Sequence, residues 1–236
     1  MSTRLDQPIH HAAKAQMVFH YYVPIAMLFV SLLIAANVLA QKLIAVGGYE
    51  VTAASIIYPM TYVLADVLTE VYGYANFRRV IWGALLGNIA FALLSEAAIL
   101  LPPASFWHEQ DQFAAIMGHT PQIVFASMVS YLVGEFMNAY VLAKLKIKTQ
   151  GRHLWLRTIG STVVGQASDT VIFTAIAFYG ILNAQQMTSL MITMYLLKIA
   201  YEVMITPLVY ALTGFLKRRE NVDVFDQDTN FNPFSG

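Results

Sequence analysis

The stretch PQIVFASMVSYLVGEFMNAYVLAKLKIK, Pro121–Lys148, decides the fold. From Pro121 to Ala143 it carries a single charge, Glu135, and it then runs into Lys144, Lys146 and Lys148. About 20 predominantly apolar residues cross a ~30 Å hydrocarbon core at 1.5 Å per residue. An apolar run that ends in lysines reads as a transmembrane helix with its C-terminal end in the cytoplasm. The lone glutamate in its middle is the first sign of function.

Outward from there, five further runs have the same character: Tyr21–Gln41, Val51–Thr69, Val80–Leu101, Thr158–Leu182 and Thr188–Leu216. The second is the least apolar, interrupted by Tyr58, Pro59, Tyr62 and Asp66. The first follows a polar lead and has no small-residue cleavage site, so it is expected to stay as a span and not to be removed as a signal peptide. The composition agrees. The 236 residues are 58% hydrophobic and 12% charged, with a mean hydropathy of +0.57, against about 25% charged in a soluble domain. Net charge is zero and cysteine is absent. A disordered chain, a basic nucleic-acid-binding protein and a typical soluble enzyme are excluded, as are disulfides and thiolate chemistry. The expected fold is an all-α integral membrane protein of six transmembrane helices.

The basic residues orient it. Arg4 and Lys14 lie in the lead, Arg78 and Arg79 between spans two and three. Lys144, Lys146, Lys148, Arg152 and Arg157 lie between four and five, and Lys217, Arg218 and Arg219 follow span six. With six spans, all twelve fall on one side; the other two, Lys42 and Lys198, sit at a helix end and inside span six. Both termini are therefore expected in the cytoplasm. The expected division is a lead over 1–20, a six-helix domain over 21–217 and a disordered cytoplasmic tail over 218–236. The outer loop Pro102–Thr120, with Phe106, Trp107 and Phe113, is expected to rest at the membrane interface. The repeat of YVLA at Tyr62–Ala65 and Tyr140–Ala143 is taken as chance.

Acids inside spans carry the functional signal. Each costs about 2.5–3.5 kcal/mol at mid-helix on insertion scales, so Asp66, Glu135, Asp169 and Glu202 must face the bundle interior. Each lies in a stripe on its own helix face that runs in steps of three or four: Ser127, Tyr131 and Asn138 with Glu135; Thr162, Gln166, Thr170 and Phe173 with Asp169; Tyr58, Tyr62 and Glu70 with Asp66. Lys198 lies four residues before Glu202, with Tyr201 beside it, which also allows a self-satisfied intrahelical pair. Pro207 frees the carbonyl of Val203. Gly160, Ser161 and Gly165 read as close-packing residues. Glu96 sits near an outer end. The six histidines, His10, His11, His20, His108, His119 and His153, build no intramembrane metal site. HExxH, GxSxG and P-loop motifs are absent from the sequence. Neither catalytic residues, a metal nor a cofactor is expected.

Four blocks resemble one family. YPMTYVLADVLTEVYGY (Tyr58–Tyr74) followed by Arg78–Arg79, GEFMNAYVLAKLK (Gly134–Lys146), STVVGQASDTVIF (Ser161–Phe173) and KIAYEVMITPLVY (Lys198–Tyr210) resemble blocks of the queuosine precursor transporter family, also called the vitamin uptake transporter family. The resemblance implies a fold like the substrate-binding subunits of energy-coupling-factor importers. It also implies import across the inner membrane of a 7-deazaguanine such as 7-cyano-7-deazaguanine, for tRNA modification. A guanine-like edge presents two parallel N–H donors for a carboxylate, a carbonyl that needs a donor, and a flat face that needs an aromatic. The candidate substrate-binding residues are Tyr62, Asp66, Tyr131, Glu135, Asn138, Gln166, Asp169, Phe173, Lys198, Tyr201 and Glu202. The expected partners are that small molecule and the bilayer, not nucleic acid, with homodimerisation left open. A self-sufficient secondary transporter is favoured over an ATP-driven importer's subunit, for which Ala36 and Ala40 in span one would form the docking face.

Overall fold

A computed structural model describes residues 19–39, 42–46, 49–118, 121–180 and 182–235. Most of the lead, with Arg4, Lys14, His10 and His11, lies outside the described residues, as do Ala40, Gln41, His119, Thr120 and Gly236. Among the described residues, seven α-helices run in the order α1 (Tyr22–Leu39), α2 (Tyr58–Tyr72), α3 (Tyr74–Leu100), α4 (Gln110–Met117), α5 (Pro121–Lys148), α6 (Leu154–Ala177) and α7 (Ala184–Glu220). Between α1 and α2 lie a two-stranded antiparallel ladder, β1 (Leu43–Val46) with β2 (Tyr49–Thr52), and a 3-10 turn at Ala53–Ile56.

Among the described residues four helices, α1, α3, α5 and α7, are long and apolar enough to cross a membrane, and the molecule is a multi-pass helical membrane protein. The 24 residues of α6 are long enough, about 36 Å, but its buried face is polar, with Thr158, Ser161, Thr162, Gln166, Thr170 and Thr174. Helix α7 starts with a reciprocal cap: Asn183 accepts from the Gln186 backbone N–H at 2.9 Å, and Gln186 accepts from that of Asn183 at 3.1 Å. The connection between α3 and α5 contains α4, with Trp107 packed edge-on against Phe113.

The second expected span is corrected. Val51 and Thr52 end β2, and the helix starts only at Tyr58. Val51 and Thr52 are β-branched and suit a ladder, and Pro59 fits a helix only in its first turn, where its missing N–H costs nothing. The 15 residues of α2 rise only about 22 Å. It is nevertheless the central helix, packed on α1, α3, α5 and α7. Val63, Val67, Leu68 and Val71 place its apolar side in a core shared with Phe29, Phe77, Phe136 and Val209.

One residue, Gly73, joins α2 to α3 at φ +83°. A Cβ there would come within 2.7 Å of Val224 Cγ1, so both the angle and the space require glycine. Other helix ends gather at the same end of the molecule. Lys146 of α5, Arg157 of α6 and Lys217 of α7 all reach Glu70 of α2, and the Tyr21 backbone N–H before α1 donates to Glu220 of α7.

Here lies the largest departure from expectation. The segment expected to be a disordered tail is docked along this end. Asp226 accepts from the Tyr74 backbone N–H at 3.0 and 3.2 Å, capping α3. Arg78 donates to the carbonyls of Asn230 and Asn232 at 2.9 and 2.8 Å and to the Ser235 hydroxyl at 2.6 Å. Trp82 donates to the Pro233 carbonyl at 2.9 Å, and Phe231 packs on Tyr74 with Lys144 over its ring. The tail's polarity suggested disorder, but its polar groups have partners across the chain. Burial pushes the Asp223 carboxyl up, yet hydrogen bonds from Lys146 and Lys217 outweigh this and hold it below its ordinary 3.8. Its contribution to docking is complete above that value and is lost as pH falls below it.

Candidate functional site

The site begins at the crossing of α5 and α6, the most extensive helix contact in the molecule. A Cβ on Gly134 would lie 2.8 Å from Asp169 Cβ, and one on Gly165 would lie 2.8 Å from Asn138 Cβ. Two glycines on facing helices thus let the backbones approach closely, with Asp169 against Gly134 and Asn138 against Gly165.

Three helices converge on Asp66. It is 1% exposed and accepts from the Asn138 side-chain N–H at 3.1 Å. Its charged neighbours are Glu202 of α7 and Glu135 of α5. Glu202 is fully buried, and Thr162 of α6 lies beside it. Glu135 in turn neighbours Asp169 and Lys198. The intrahelical pair considered for Lys198 and Glu202 is not formed: Lys198 Nζ instead reaches Asp169 Oδ2 at 2.5 Å, from α7 to α6.

This interior is rich in acceptors that lack donors. Asp66 Oδ2, Glu135 Oε2, Asn138 Oδ1, Gln166 Oε1 and both oxygens of Glu202 are buried without a hydrogen-bond partner. Buried polar groups are ordinarily satisfied, so the arrangement suits a ligand that brings N–H donors or positive charge. Of the expected site residues, Asp66, Glu135, Asn138, Asp169, Lys198 and Glu202 are thus brought together, with Gln166 on the same buried face of α6.

The aromatics contribute less directly. The Tyr131 hydroxyl donates to the Ile81 carbonyl at 3.3 Å and ties α5 to α3. Phe173 packs edge-on against Phe178, and Tyr62 and Tyr201 are half-buried on α2 and α7. A cluster of three or more potential metal-ligating side chains is absent among the described residues.

A second polar cluster, which sequence reasoning missed as a unit, lies one turn below Asp66. Glu70, fully buried, takes two hydrogen bonds from Arg157, Nη2 at 2.7 Å and Nε at 3.0 Å, and one from Lys217 at 2.7 Å. Lys146 stands 3.6 Å away and also donates to the carbonyls of Glu70 and Val224. The signal was in the sequence: Glu70 follows Asp66 at i+4, and the basic residues were read only as markers of sidedness.

A sequence model described as "Putative vitamin uptake transporter" matches residues 52–212. The chain is 31% identical over 188 residues, 79% of its length and 82% of the relative's, to a protein of Bacillus subtilis (strain 168) named "Probable queuosine precursor transporter". It is 24% identical over 144 residues, 61% of its length and 62% of the relative's, to the "Queuosine precursor transporter" of Escherichia coli (strain K12). No solved structure matches. The four blocks quoted from the sequence fall inside the matched residues, as do the interior acids, and the chain belongs to the vitamin uptake transporter family.

Proposed function

We propose that this protein imports a queuosine precursor, a 7-deazaguanine such as 7-cyano-7-deazaguanine, across the inner membrane as a self-sufficient secondary transporter. The observation that carries the reading is the 31% identity, over most of both chains, to a relative named for that transport. The interior supports it. A guanine-like edge brings two parallel N–H donors, and buried acceptors without donors are what the α2–α5–α6–α7 junction offers. Its ring carbonyl finds candidate donors in Gln166 and Lys198, and its face finds Tyr62, Tyr131, Phe173 or Tyr201.

In this reading α1, α2, α3, α5, α6 and α7 are the six spans, and the end that gathers Glu70, Lys146, Arg157 and Lys217 faces the cytoplasm with both termini. Ala36, the described half of the small-residue docking face, is fully buried within the chain. That favours a solitary transporter over a subunit docked to ATPases. The test is uptake of labelled 7-cyano-7-deazaguanine into proteoliposomes holding this protein alone. Transport without ATP supports autonomy; transport only after an ATPase complex is added sinks it.

The site is tested by binding. Glu202→Gln replaces one acceptor oxygen by a donor and breaks a two-point contact with the base. Asp169→Asn releases Lys198 from its partner. Losing a charged hydrogen bond costs about 1.5–3 kcal/mol, so each variant should bind at least about tenfold more weakly. Exposed Glu96→Gln should match the parent. Ligand-dependent thermal stabilisation reads this out, and parent-like behaviour of both interior variants would move recognition to Asp66 and Glu135.

A further inference from the structure

We propose that Asp66 and Glu202 form a proton-binding pair that holds one proton in common at neutral pH and couples import of the base to the proton gradient. The transport half of this proposal rests on the function just proposed; the proton-binding half does not.

The geometry is the argument. The two carboxyl groups face one another across α2 and α7, close enough for a hydrogen bond between them, and are 1% and 0% exposed. Two ionised carboxylates are both acceptors, so no bond can form until a proton stands between them. Asp66 Oδ2 and both oxygens of Glu202 accordingly have no donor. The surroundings point the same way. Asn138, only 9% exposed, spends its N–H on Asp66 and leaves its carbonyl oxygen without a partner.

The charged groups around the pair do not neutralise it. On α5 the neighbour is Glu135, a further acid. Lys198, one turn before Glu202 on α7, is committed to Asp169 of α6 at 2.5 Å. Arg157, Lys146 and Lys217 are committed to Glu70 on the next turn of α2. From α6 the pair meets the hydroxyl of Thr162. Two like charges buried together without a cation cannot both persist, and one proton removes the conflict by turning two acceptors into a donor and an acceptor. Acids that face a bundle interior beside a substrate site are where transporters take up and release protons, so the pair stands where base and proton can be moved together.

Infrared difference spectroscopy on the purified protein in lipid nanodiscs, without substrate, tests the pair. At neutral pH the parent should show a protonated-carboxyl stretching component that shifts in heavy water. Asp66→Asn and Glu202→Gln should each remove the same component, because one proton belongs to both groups, and Glu135→Gln should not remove it. If a pair variant fails to fold, Glu135→Gln decides: with that neighbouring acid gone, the component must still be present at neutral pH and vanish on alkaline titration. Absence of the component in the parent, or its survival in both folded pair variants, overturns the proposal.

Proteoliposomes of the parent test coupling. With one proton per base, an inside-alkaline gradient of about one pH unit should raise accumulation up to about tenfold, and a sodium gradient at uniform pH should add nothing. Accumulation driven by sodium, or indifferent to both gradients, overturns the coupling. No uptake of a 7-deazaguanine under any condition would instead sink the proposed function, and the infrared result would still decide whether the pair holds a proton.

Discussion

Glu70→Gln should lower stability by about 3–5 kcal/mol, the cost of removing one partner from a buried ion pair. The side chain is fully buried and receives Arg157 through two parallel hydrogen bonds, Lys217 at 2.7 Å and Lys146 at 3.6 Å. An amide keeps the shape but leaves Arg157, itself 1% exposed, buried without a counter-charge. Of the carboxylates in this cluster, only the half-exposed Asp223 would remain to Lys146 and Lys217. Thermal unfolding in detergent should show a large drop. The double variant Glu70→Leu with Arg157→Leu should recover part of it, since no opposed charge is then stranded between the two positions. Arg157→Lys should also destabilise, because an ammonium cannot make the two-point contact. A Glu70→Gln protein as stable as the parent would show that these charges do not hold the helix ends together.

Deleting residues 223–236 should cost nearly as much, on the order of 3–5 kcal/mol, because several modest terms are lost at once. The start of α3 loses the Asp226 cap, and buried Arg78 loses two carbonyls and a hydroxyl. Trp82 loses its acceptor, and Tyr74 loses both the Phe231 carbonyl bonded to its hydroxyl at 3.0 Å and the ring packed on it. Hydrogen exchange should localise the damage, with Tyr74, Asn76 and Phe77 amides exchanging faster while those in the middle of α6 keep their protection. Asp226→Ala alone should cost about 1 kcal/mol, the worth of a cap. Exchange at Tyr74 unchanged in the deletion would mean that the tail does not hold α3.

Much of this architecture was legible in the sequence because lipid imposes a simple rule: long apolar runs must be helices. Helices α1, α3, α5 and α7 follow the apolar runs to within a turn or two. Where function interrupts the run, the rule weakens. The boundary of α2 was placed too early because Val51–Ser55 is apolar enough to read as helix, although two β-branched residues there suit a ladder. That the acids face the interior was legible from insertion cost alone. Their partners were not. Sequence spacing brings Lys198 to Glu202, but α6 packs on α7 and offers Lys198 the Asp169 carboxylate at 2.5 Å instead. The tail misled for the same reason. Asp, Asn and Ser in a row imply solvation only while their partners are unknown, and here these partners lie on α3, some 150 residues earlier.

That separation also gives the molecule an order of assembly. The Asp226 carboxylate that closes the turn at Gly73 is 152 positions from the Tyr74 amide it binds. At roughly 5–20 residues per second, a ribosome needs about 8–30 s to cover that distance. Throughout that time α2 and α3 are already made, with Arg78 lacking the carbonyls that will surround it. The nascent chain must therefore wait with this end unfastened, and chaperones or lipid headgroups have access to Arg78 only during that interval. A segment made long afterwards is the latch on a turn already formed.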